Sequence, residues 1–286
     1  MCRAAVEEDD VRETARGAFE LARPGNCVAA AVLTATGAFV AGTGDALAPA
    51  AIAAVTTAFA VAAGNAINDY FDREIDAINQ PDRPIPRGAI SPRGALGISG
   101  IWFAAAVALA LALPLLALAI AAVNLVALVT YTTVFKGTPG LGNALVSYLV
   151  GSTFLFGGAA VGRPRAVVVL ALLAALSTFA REVIKDVEDV VGDREEGLRT
   201  LPVAIGERRS LWLGVATMVI AVAASVIPFF AGFGVAYLAI VVPADAVMLH
   251  ATWLSFHDPA TAQRRLKRGM FLAAAAFIAG RIAILP

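Results

Sequence analysis

The feature that most constrains this chain is a series of long apolar runs, several of which reach about 18 residues. Folded as an α-helix, a run of that length is long enough to cross the hydrocarbon core of a bilayer. The composition agrees, because 59% of the residues are hydrophobic and the mean hydropathy is +0.78, far above the values of soluble domains. The sequence therefore predicts an all-α integral membrane protein.

Polar breaks divide the apolar part into nine predicted spans. A polar segment, residues 1–24, precedes them, and residues 6–22 of this segment are predicted to form a surface helix. The predicted spans cover residues 26–42, 49–71, 95–113, 115–134, 143–161, 166–187, 211–230, 232–251 and 269–285. We expect one membrane domain over residues 1–286.

The basic residues are concentrated in the segments that nine spans would place on one side of the membrane. These segments are the N-terminal segment, the turn around Lys136 and the loops 72–94, 188–210 and 252–268. With Arg181 and Lys185, near the same end of the sixth predicted span, this side holds 19 of the 22 basic residues. The other side has only Arg163, Arg165 and Arg281. The positive-inside rule makes that side cytoplasmic, with the N-terminus inside and the C-terminus outside. The net charge of zero gives no support for a nucleic-acid partner.

An acidic motif occurs twice, each time at the cytoplasmic end of an apolar run. The first copy has Asp69, Asp72 and Asp76, and the second has Asp186, Asp189 and Asp193. Both sets are spaced i, i+3 and i+7, so on a helix each set shares one face. Similar tails follow, Asp82-Arg83-Pro84-Ile85-Pro86 and Leu198-Arg199-Thr200-Leu201-Pro202. We interpret the two copies as an approximate internal repeat, with the ninth span outside it.

Three carboxylates on one helix face repel one another unless a cation joins them, and hard oxygen ligands suit Mg²⁺. We therefore expect two Mg²⁺ ions, one at each motif, whose coordination is completed by water and substrate phosphates. Basic side chains near the motifs in sequence are candidates for binding further phosphate oxygens. They are Arg73, Arg83, Lys136, Lys185 and Arg199.

A diphosphate at the mouth of an apolar helical bundle indicates a lipid diphosphate whose tail lies between the helices. Metal ions would neutralise the charge that develops on the departing diphosphate. If the tail is allylic, its departure leaves a carbocation, which the aromatic faces of Tyr131, Tyr70 or Phe71 can stabilise. A nucleophile held nearby would then be prenylated.

The two motifs, together with the Asn79-x-x-Asp82-Arg83-Pro84-Ile85-Pro86-x-Gly88 tail, resemble the signatures of the UbiA superfamily of intramembrane prenyltransferases. The resemblance implies nine transmembrane helices around a central cavity, with a Mg²⁺-bound isoprenyl diphosphate under a cytoplasmic cap. It also implies metal and diphosphate roles for Asn68, Asp69, Asp72, Asp76, Asp186, Asp189 and Asp193. A Tyr-x-x-x-Lys element of the family corresponds to Tyr131 and Lys136, although here four residues intervene.

Three stretches resemble the archaeal members of the family that make ether lipids. They are Arg23-Pro24-Gly25-Asn26, Gly142-Asn143 followed by Gly151–Gly158, and Arg181-Glu182-Val183-Ile184-Lys185-Asp186. This resemblance implies transfer of a geranylgeranyl group from its diphosphate to the hydroxyl of geranylgeranylglyceryl phosphate. Such an acceptor has its own phosphate, for which the candidate ligands are Arg23, Asn26, Lys136, Arg181 and Lys185. The glycines of the second stretch permit either close helix packing or a wider cavity.

Other functions remain open from the sequence. The main alternative is a prenyltransferase for an aromatic acceptor such as a hydroxybenzoate. A cation-coupled transporter is less favoured, because its acidic residues usually lie near the bilayer midplane rather than at helix ends. A CDP-alcohol phosphotransferase normally has one continuous motif rich in Asp and Gly, which is absent from this sequence. Asp245, inside the eighth predicted span, is a further candidate for a role in the cavity.

Overall fold

A computed structural model describes residues 2–44 and 46–284, and for residues 2–11 only the helical backbone. The described part contains eleven α-helices and no β-strand, so the predicted all-α class is confirmed. The helices are α1 Cys2–Ala22, α2 Pro24–Ala41, α3 Leu47–Asn79, α4 Pro92–Ala110, α5 Leu115–Thr130, α6 Leu141–Ala160, α7 Val168–Glu195, α8 Leu201–Ile205, α9 Glu207–Ala224, α10 Gly234–Leu254 and α11 Pro259–Ala283.

Seven stretches within the described residues are long and apolar enough to cross a membrane. The predicted count of nine differs for two physical reasons. One stretch, Glu207–Leu254, holds both α9 and α10, which are separated by a kink where Gly232 has a φ of 102°. The predicted ninth span lies in α11, whose first half carries four basic residues and is too polar to count. The chain is a multi-pass membrane protein.

Helices α3 and α7 are longer than the spans predicted for them. The predicted spans end at residues 71 and 187, whereas the helices continue to Asn79 and Glu195. Each extension contains the rest of an acidic motif and has no glycine–proline break. Both motifs are therefore fully helical, and their carboxylates are held in fixed register at one end of the bundle.

The packing order of the helices follows the predicted repeat. Helix α2 packs on α3, and α3 packs on α4; in the second half α6 packs on α7, and α7 packs on α9. The two leading helices, α2 and α6, also pack on each other, and α11 packs against α10, α7 and α2. The α2–α6 crossing is very close, since a Cβ added at Gly37 or Gly157 would clash with backbone atoms of Phe154 or Thr34. Gly37 and Gly157 therefore allow the close packing of α2 against α6.

A cap covers the motif end of the first half, formed by the second half of α1 and the loop after α3. Leu21 of α1 is fully buried in a cluster with Ile85 and Ile90 of that loop. Arg87 in the loop donates a hydrogen bond to Glu20 at 2.6 Å, and hydrogen bonds from Arg87 and Arg16 lower the pKa of the Glu20 carboxyl. The predicted surface helix thus becomes part of the cap.

The two ends of the bundle carry different basic residues. At the start of α2, Arg23 pairs with Asp69 of the first motif. At the other end, Gly42 follows α2 and lies beside the guanidinium groups of Arg163 and Arg281. The structure therefore places these two arginines at the opposite end of the bundle from the acidic motifs.

Candidate functional site

The exposed part of the first motif is formed by Asn68 and Asp72, one helical turn apart on α3. The Asn68 amide donates a hydrogen bond to Asp72 Oδ2 at 2.8 Å. Lys136, from the loop before α6, donates to the same oxygen at 2.5 Å. This corner therefore has a carboxylate and an amide oxygen close together, with a lysine ammonium group against the carboxylate.

The other two carboxylates of the first motif are buried and paired with arginines. Asp69 and Asp76 are only 4% and 6% exposed. Arg83 Nη1 lies 2.5 Å from Asp76 Oδ2 and 3.4 Å from Asp69 Oδ1, and Arg23 also pairs with Asp69. Buried carboxylates need such partners, since an unpaired buried charge is very costly. Asp69 and Asp76 therefore fix the cap loop and the start of α2 in place.

Arg23 also has an unusual backbone conformation. Its φ of 50° and ψ of 69° lie in the left-handed region, and this is the only positive φ at a non-glycine residue among those described. The residue also precedes Pro24, a position that favours extended backbone. The turn between α1 and α2 therefore directs the guanidinium toward Asp69 at some backbone cost.

The second motif lies on α7, and each of its carboxylates has a different partner. Asn143 of α6 donates a hydrogen bond to Asp186 Oδ2 at 2.8 Å. Lys185 donates to Asp189 at 3.0 Å, and Thr200 of the tail donates to Asp193 at 2.8 Å. Asp189 is the most exposed of the three, with 48% of its side chain accessible.

The segment between α5 and α6 joins the two motifs. Residues Tyr131–Phe135 form a π-helical turn, in which the Lys136 amide donates to the Tyr131 carbonyl at 2.8 Å. A π-turn holds one residue more than an α-turn, so it absorbs the additional residue between Tyr131 and Lys136. The Tyr131 hydroxyl group interacts electrostatically with carboxylates of both motifs, including Asp72 and Asp186. The following loop meets the second tail, where the Arg199 amide donates to the Gly137 carbonyl at 3.0 Å.

Three of the predicted site residues lie away from the motif carboxylates. Arg73 folds back along its own helix, with its guanidinium 4.8 Å from the Tyr70 ring centre and paired with Glu74. Asn26 is exposed on the first turn of α2, and Arg199 is exposed in the tail. Within the described residues, no side-chain contact joins any of these three to a motif aspartate.

Arg181 lies on α7, five residues before Asp186. It donates hydrogen bonds to Glu182 at 2.5 Å and to Gln263 of α11 at 3.0 Å. Gln263 was not predicted, since nothing in the sequence places α11 beside α7. Asn143 and Thr200 were not predicted as partners either, although Asn143 lies in a stretch that resembles the family and Thr200 lies in the tail after the second motif.

Among the described residues, a larger and a smaller cavity lie between the helices below the motifs. The larger has a volume of about 230 Å³ and lies among α2, α6, α7, α9, α10 and α11. The smaller, of about 70 Å³, lies among α3, α5 and α6, near Leu128, one turn from Tyr131. Asp245 lines the larger cavity, where Ser225 donates to its carboxylate at 2.6 Å. Helix α6 contributes residues to the walls of both cavities.

The donor groups of the motifs fit the expected Mg²⁺. In the part of the chain that the structure describes, no three carboxylate, histidine or cysteine side chains lie close enough together to hold a metal ion. Asp72, which is partly buried, and Asp189, which is exposed, instead each have a lysine ammonium group, at 2.5 and 3.0 Å. A cation therefore already occupies the position next to each of them. The oxygen-only donors Asn68, Asp72, Asp186, Asp189 and Asp193 are those that Mg²⁺ prefers.

Known proteins resemble this chain over nearly its full length. It is 62% identical over 274 residues to the digeranylgeranylglyceryl phosphate synthase of Natronomonas pharaonis, covering 95% of this chain and 99% of that one. It is 60% identical over 272 residues to the enzyme of the same name from Halobacterium salinarum, covering 94% and 99%.

Solved structures of other proteins also have folds similar to that of this chain. A structure described as a digeranylgeranylglyceryl phosphate synthase in membranes has a TM-score of 0.84 and 35% identity, covering 95% of this chain and all of that one. A UbiA homologue from Archaeoglobus fulgidus, bound to DMAPP and Mg²⁺, has a TM-score of 0.71 and 20% identity, covering 94% and 99%. The second likeness concerns the fold alone.

The sequence model of the UbiA prenyltransferase family matches residues 30–275, which include both acidic motifs. The transporter and phosphotransferase alternatives are therefore wrong, and the chain is an enzyme of the prenyltransferase class. On this match and on the identity to its relatives, the chain belongs to the UbiA prenyltransferase family.

Proposed function

We propose that the protein transfers a geranylgeranyl group from geranylgeranyl diphosphate to the free hydroxyl of geranylgeranylglyceryl phosphate. The observation that carries the proposal is that two acidic motifs meet above apolar cavities in a chain 62% identical to a digeranylgeranylglyceryl phosphate synthase. The reaction forms the second ether bond of an archaeal membrane lipid. The aromatic acceptor has no support from these relatives.

We assign the metal ligands to the unburied members of the motifs. Asn68 and Asp72 hold one Mg²⁺ in this proposal, and Asp186, Asp189 and Asp193 hold a second. Asp69 and Asp76 are left out because their carboxylates are buried and already paired with Arg23 and Arg83. When bound, Mg²⁺ neutralises the charge that develops on the diphosphate leaving group. The donor set and the nearby ammonium groups support this assignment.

The cationic side chains of the site would bind the diphosphate oxygens that the metal leaves free. Lys136 and Lys185 lie directly against the proposed ligands Asp72 and Asp189. Arg23 and Arg83 line the same corner from the cap, and arginine can bind two phosphate oxygens at once. Among the described residues, Arg73, Arg199 and Asn26 make no hydrogen bond or ion pair with a motif aspartate, so we leave them out of the proposed site.

The transfer itself needs a leaving group, a stabilised cation and a nucleophile. In the proposed step the allylic C1–O bond breaks and its electron pair departs with the diphosphate. Tyr131, between the two motifs, presents its ring to the resulting allylic carbocation. The acceptor hydroxyl oxygen then forms the new C–O bond at C1, and its proton passes to the released diphosphate.

We further propose that the motif end of the bundle faces the cytoplasm and that residues 1–286 act as one domain. The basic loops gather at that end, while Arg163 and Arg281 lie at the opposite end beside Gly42. An excess of Lys and Arg in the loops favours the cytoplasmic side. The N-terminus would then be cytoplasmic and the C-terminus external.

The test uses the purified full chain in lipid nanodiscs with Mg²⁺ and radiolabelled geranylgeranyl diphosphate. Geranylgeranylglyceryl phosphate and 4-hydroxybenzoate compete as acceptors in the same reaction. We expect label only in the lipid bearing two prenyl ethers. Exclusive labelling of the aromatic ring would overturn the assignment of the acceptor while leaving the metal–diphosphate chemistry intact.

A further inference from the structure

The larger cavity has a cationic mouth that the donor site does not use. We propose that Arg181 and Lys267 bind the phosphate of the acceptor lipid there, while its prenyl chain lies in the larger cavity. This inference rests on the proposed function and names the acceptor subsite. It also revises the expectation that Lys136 or Arg23 holds the acceptor phosphate, because the structure pairs both with carboxylates of the first motif.

The cavity itself has the character of a site for a hydrocarbon chain. Its walls are mostly apolar and come from both halves of the bundle, including Leu33, Leu173, Val241, Met248 and Phe277. Charged residues line it at two levels: Arg181, Glu182 and Lys267 near the motif end, and Asp245 deeper on α10. A lipid with a charged head and an apolar chain matches this order, with the head among the cationic groups.

The cations at this mouth are incompletely satisfied. Arg181 donates to Glu182 and Gln263, yet its Nε atom is buried without a hydrogen-bond partner among the described residues. Lys267 is exposed, and the described part of the chain offers no carboxylate within ion-pair distance of it. With Glu182 counted, the formal charge of the three groups is +1. By contrast, Arg23, Arg83, Lys136 and Lys185 all have a motif carboxylate as partner.

The position of this cluster suits the geometry of the acceptor. Arg181 precedes Asp186 by five residues on α7, which is about 7.5 Å along the helix axis. In a glycerol with a phosphate on one end carbon and an ether chain on the other, the free hydroxyl lies on the middle carbon. A phosphate held by Arg181 and Lys267, with the chain in the cavity, therefore keeps that hydroxyl near the second motif.

The experiment compares two ligands that differ only in the phosphate. The KM for geranylgeranylglyceryl phosphate and the inhibition constant of unphosphorylated geranylgeranylglycerol are measured in the full-length enzyme with saturating donor and Mg²⁺. We expect Lys267→Met to raise the KM of the phosphorylated lipid at least roughly tenfold, the size of a lost charge-assisted contact. The inhibition constant of the unphosphorylated lipid and the donor KM should stay unchanged, and Lys267→Arg should restore binding.

A matched control is available on the same helix. Arg264 is exposed, donates a hydrogen bond to Thr261 and lies outside the cavity lining. Arg264→Met removes the same charge, so we expect it to leave the acceptor KM unchanged. If the acceptor KM rose as much for this variant, the effect of Lys267 would be general electrostatic attraction and not a phosphate contact. That result would overturn the inference.

The remaining outcomes also decide the question. If Lys267→Met weakened the binding of the phosphorylated and the unphosphorylated lipid equally, the result would contradict a phosphate contact. A rise in the donor KM alone would contradict it as well. Arg181→Met should show the same selective loss, but Arg181 is partly buried, so Lys267→Met decides if that variant does not fold. A wild-type enzyme that uses no glyceryl phosphate acceptor would overturn the proposed function itself.

Discussion

The pairing of Arg83 with Asp76 leads to a prediction that separates metal ligands from positioning residues. Arg83→Met would leave the Asp76 carboxylate without its cation, although only 8% of the Asp76 side chain is exposed to solvent. Asp69 would keep its pair with Arg23. Removing one partner of a buried ion pair costs about 3–5 kcal/mol. Because the Arg83 side chain is 29% exposed, we expect a cost near the lower limit, about 3 kcal/mol.

The assay is thermal unfolding of the purified protein in detergent, followed by circular dichroism. For a chain of about this size, 1 kcal/mol corresponds to roughly 2–4 °C in Tm, so Arg83→Met should lower Tm by about 6–12 °C. The double variant Arg83→Met with Asp76→Asn removes the stranded charge and should recover most of the loss. An unchanged Tm in the single variant, or no recovery in the double one, would refute the reasoning.

The same residues should differ in their dependence on Mg²⁺. Asp76→Asn keeps the shape of the side chain, and since Asp76 faces Arg83 we expect the Mg²⁺ concentration for half-maximal turnover to stay unchanged. Asp72→Asn weakens a proposed ligand and should raise that concentration roughly tenfold, as expected for loss of one charged contact. If Asp76→Asn raised the Mg²⁺ requirement as strongly, Asp76 would be a ligand and not a positioning residue.

The remaining predictions concern packing, the polar wall of the larger cavity and topology. Gly157→Leu would force α2 away from α6 at Thr34 and should destabilise the fold by about 1–3 kcal/mol or more, measured as a lower Tm. Asp245→Asn keeps a partner for Ser225 and should retain nearly full activity, whereas Asp245→Leu should lower Tm. In a background without Cys2 and Cys27, Arg199→Cys should react with an impermeant thiol reagent only from the cytoplasmic side, and Arg165→Cys only from the outside.

The sequence alone was sufficient for the fold class and for the pairing of the motifs. Apolar runs of membrane length and three aspartates at helical spacing are local signals, and helix geometry converts both into structure. The position of the basic loops at one end of the bundle follows from counting the predicted spans between them. What local signals did not predict was the length of α3 and α7, because the polar motifs continue as helix beyond the apolar run.

The different environments of the three aspartates in the first motif could not be predicted from their spacing. Asp69, Asp72 and Asp76 occupy equivalent-looking positions, yet two are buried against arginines and one faces Lys136. That difference depends on the cap, whose residues are distant in sequence from the motif. The same holds for Asn143 with Asp186 and for Gln263 with Arg181, which are brought together only by helix packing.

The π-helical turn that begins at Tyr131 is a further feature that could not be predicted from the sequence. The spacing from Tyr131 to Lys136 is one residue longer than in the family element, so the sequence left the role of the tyrosine open. The backbone absorbs the additional residue through the hydrogen bond from the Lys136 amide to the Tyr131 carbonyl. Lys136 thereby reaches Asp72 of the first motif despite the one-residue difference in spacing.

The central claim is that the two motifs serve one reaction at a shared site. It is tested most directly by the turnover of labelled geranylgeranyl diphosphate with geranylgeranylglyceryl phosphate and Mg²⁺ in Asp72→Ala and Asp189→Ala, each checked for wild-type Tm. The account predicts that each single variant loses turnover, because each motif supplies ligands that the other cannot replace. Near wild-type turnover in either folded variant would contradict it.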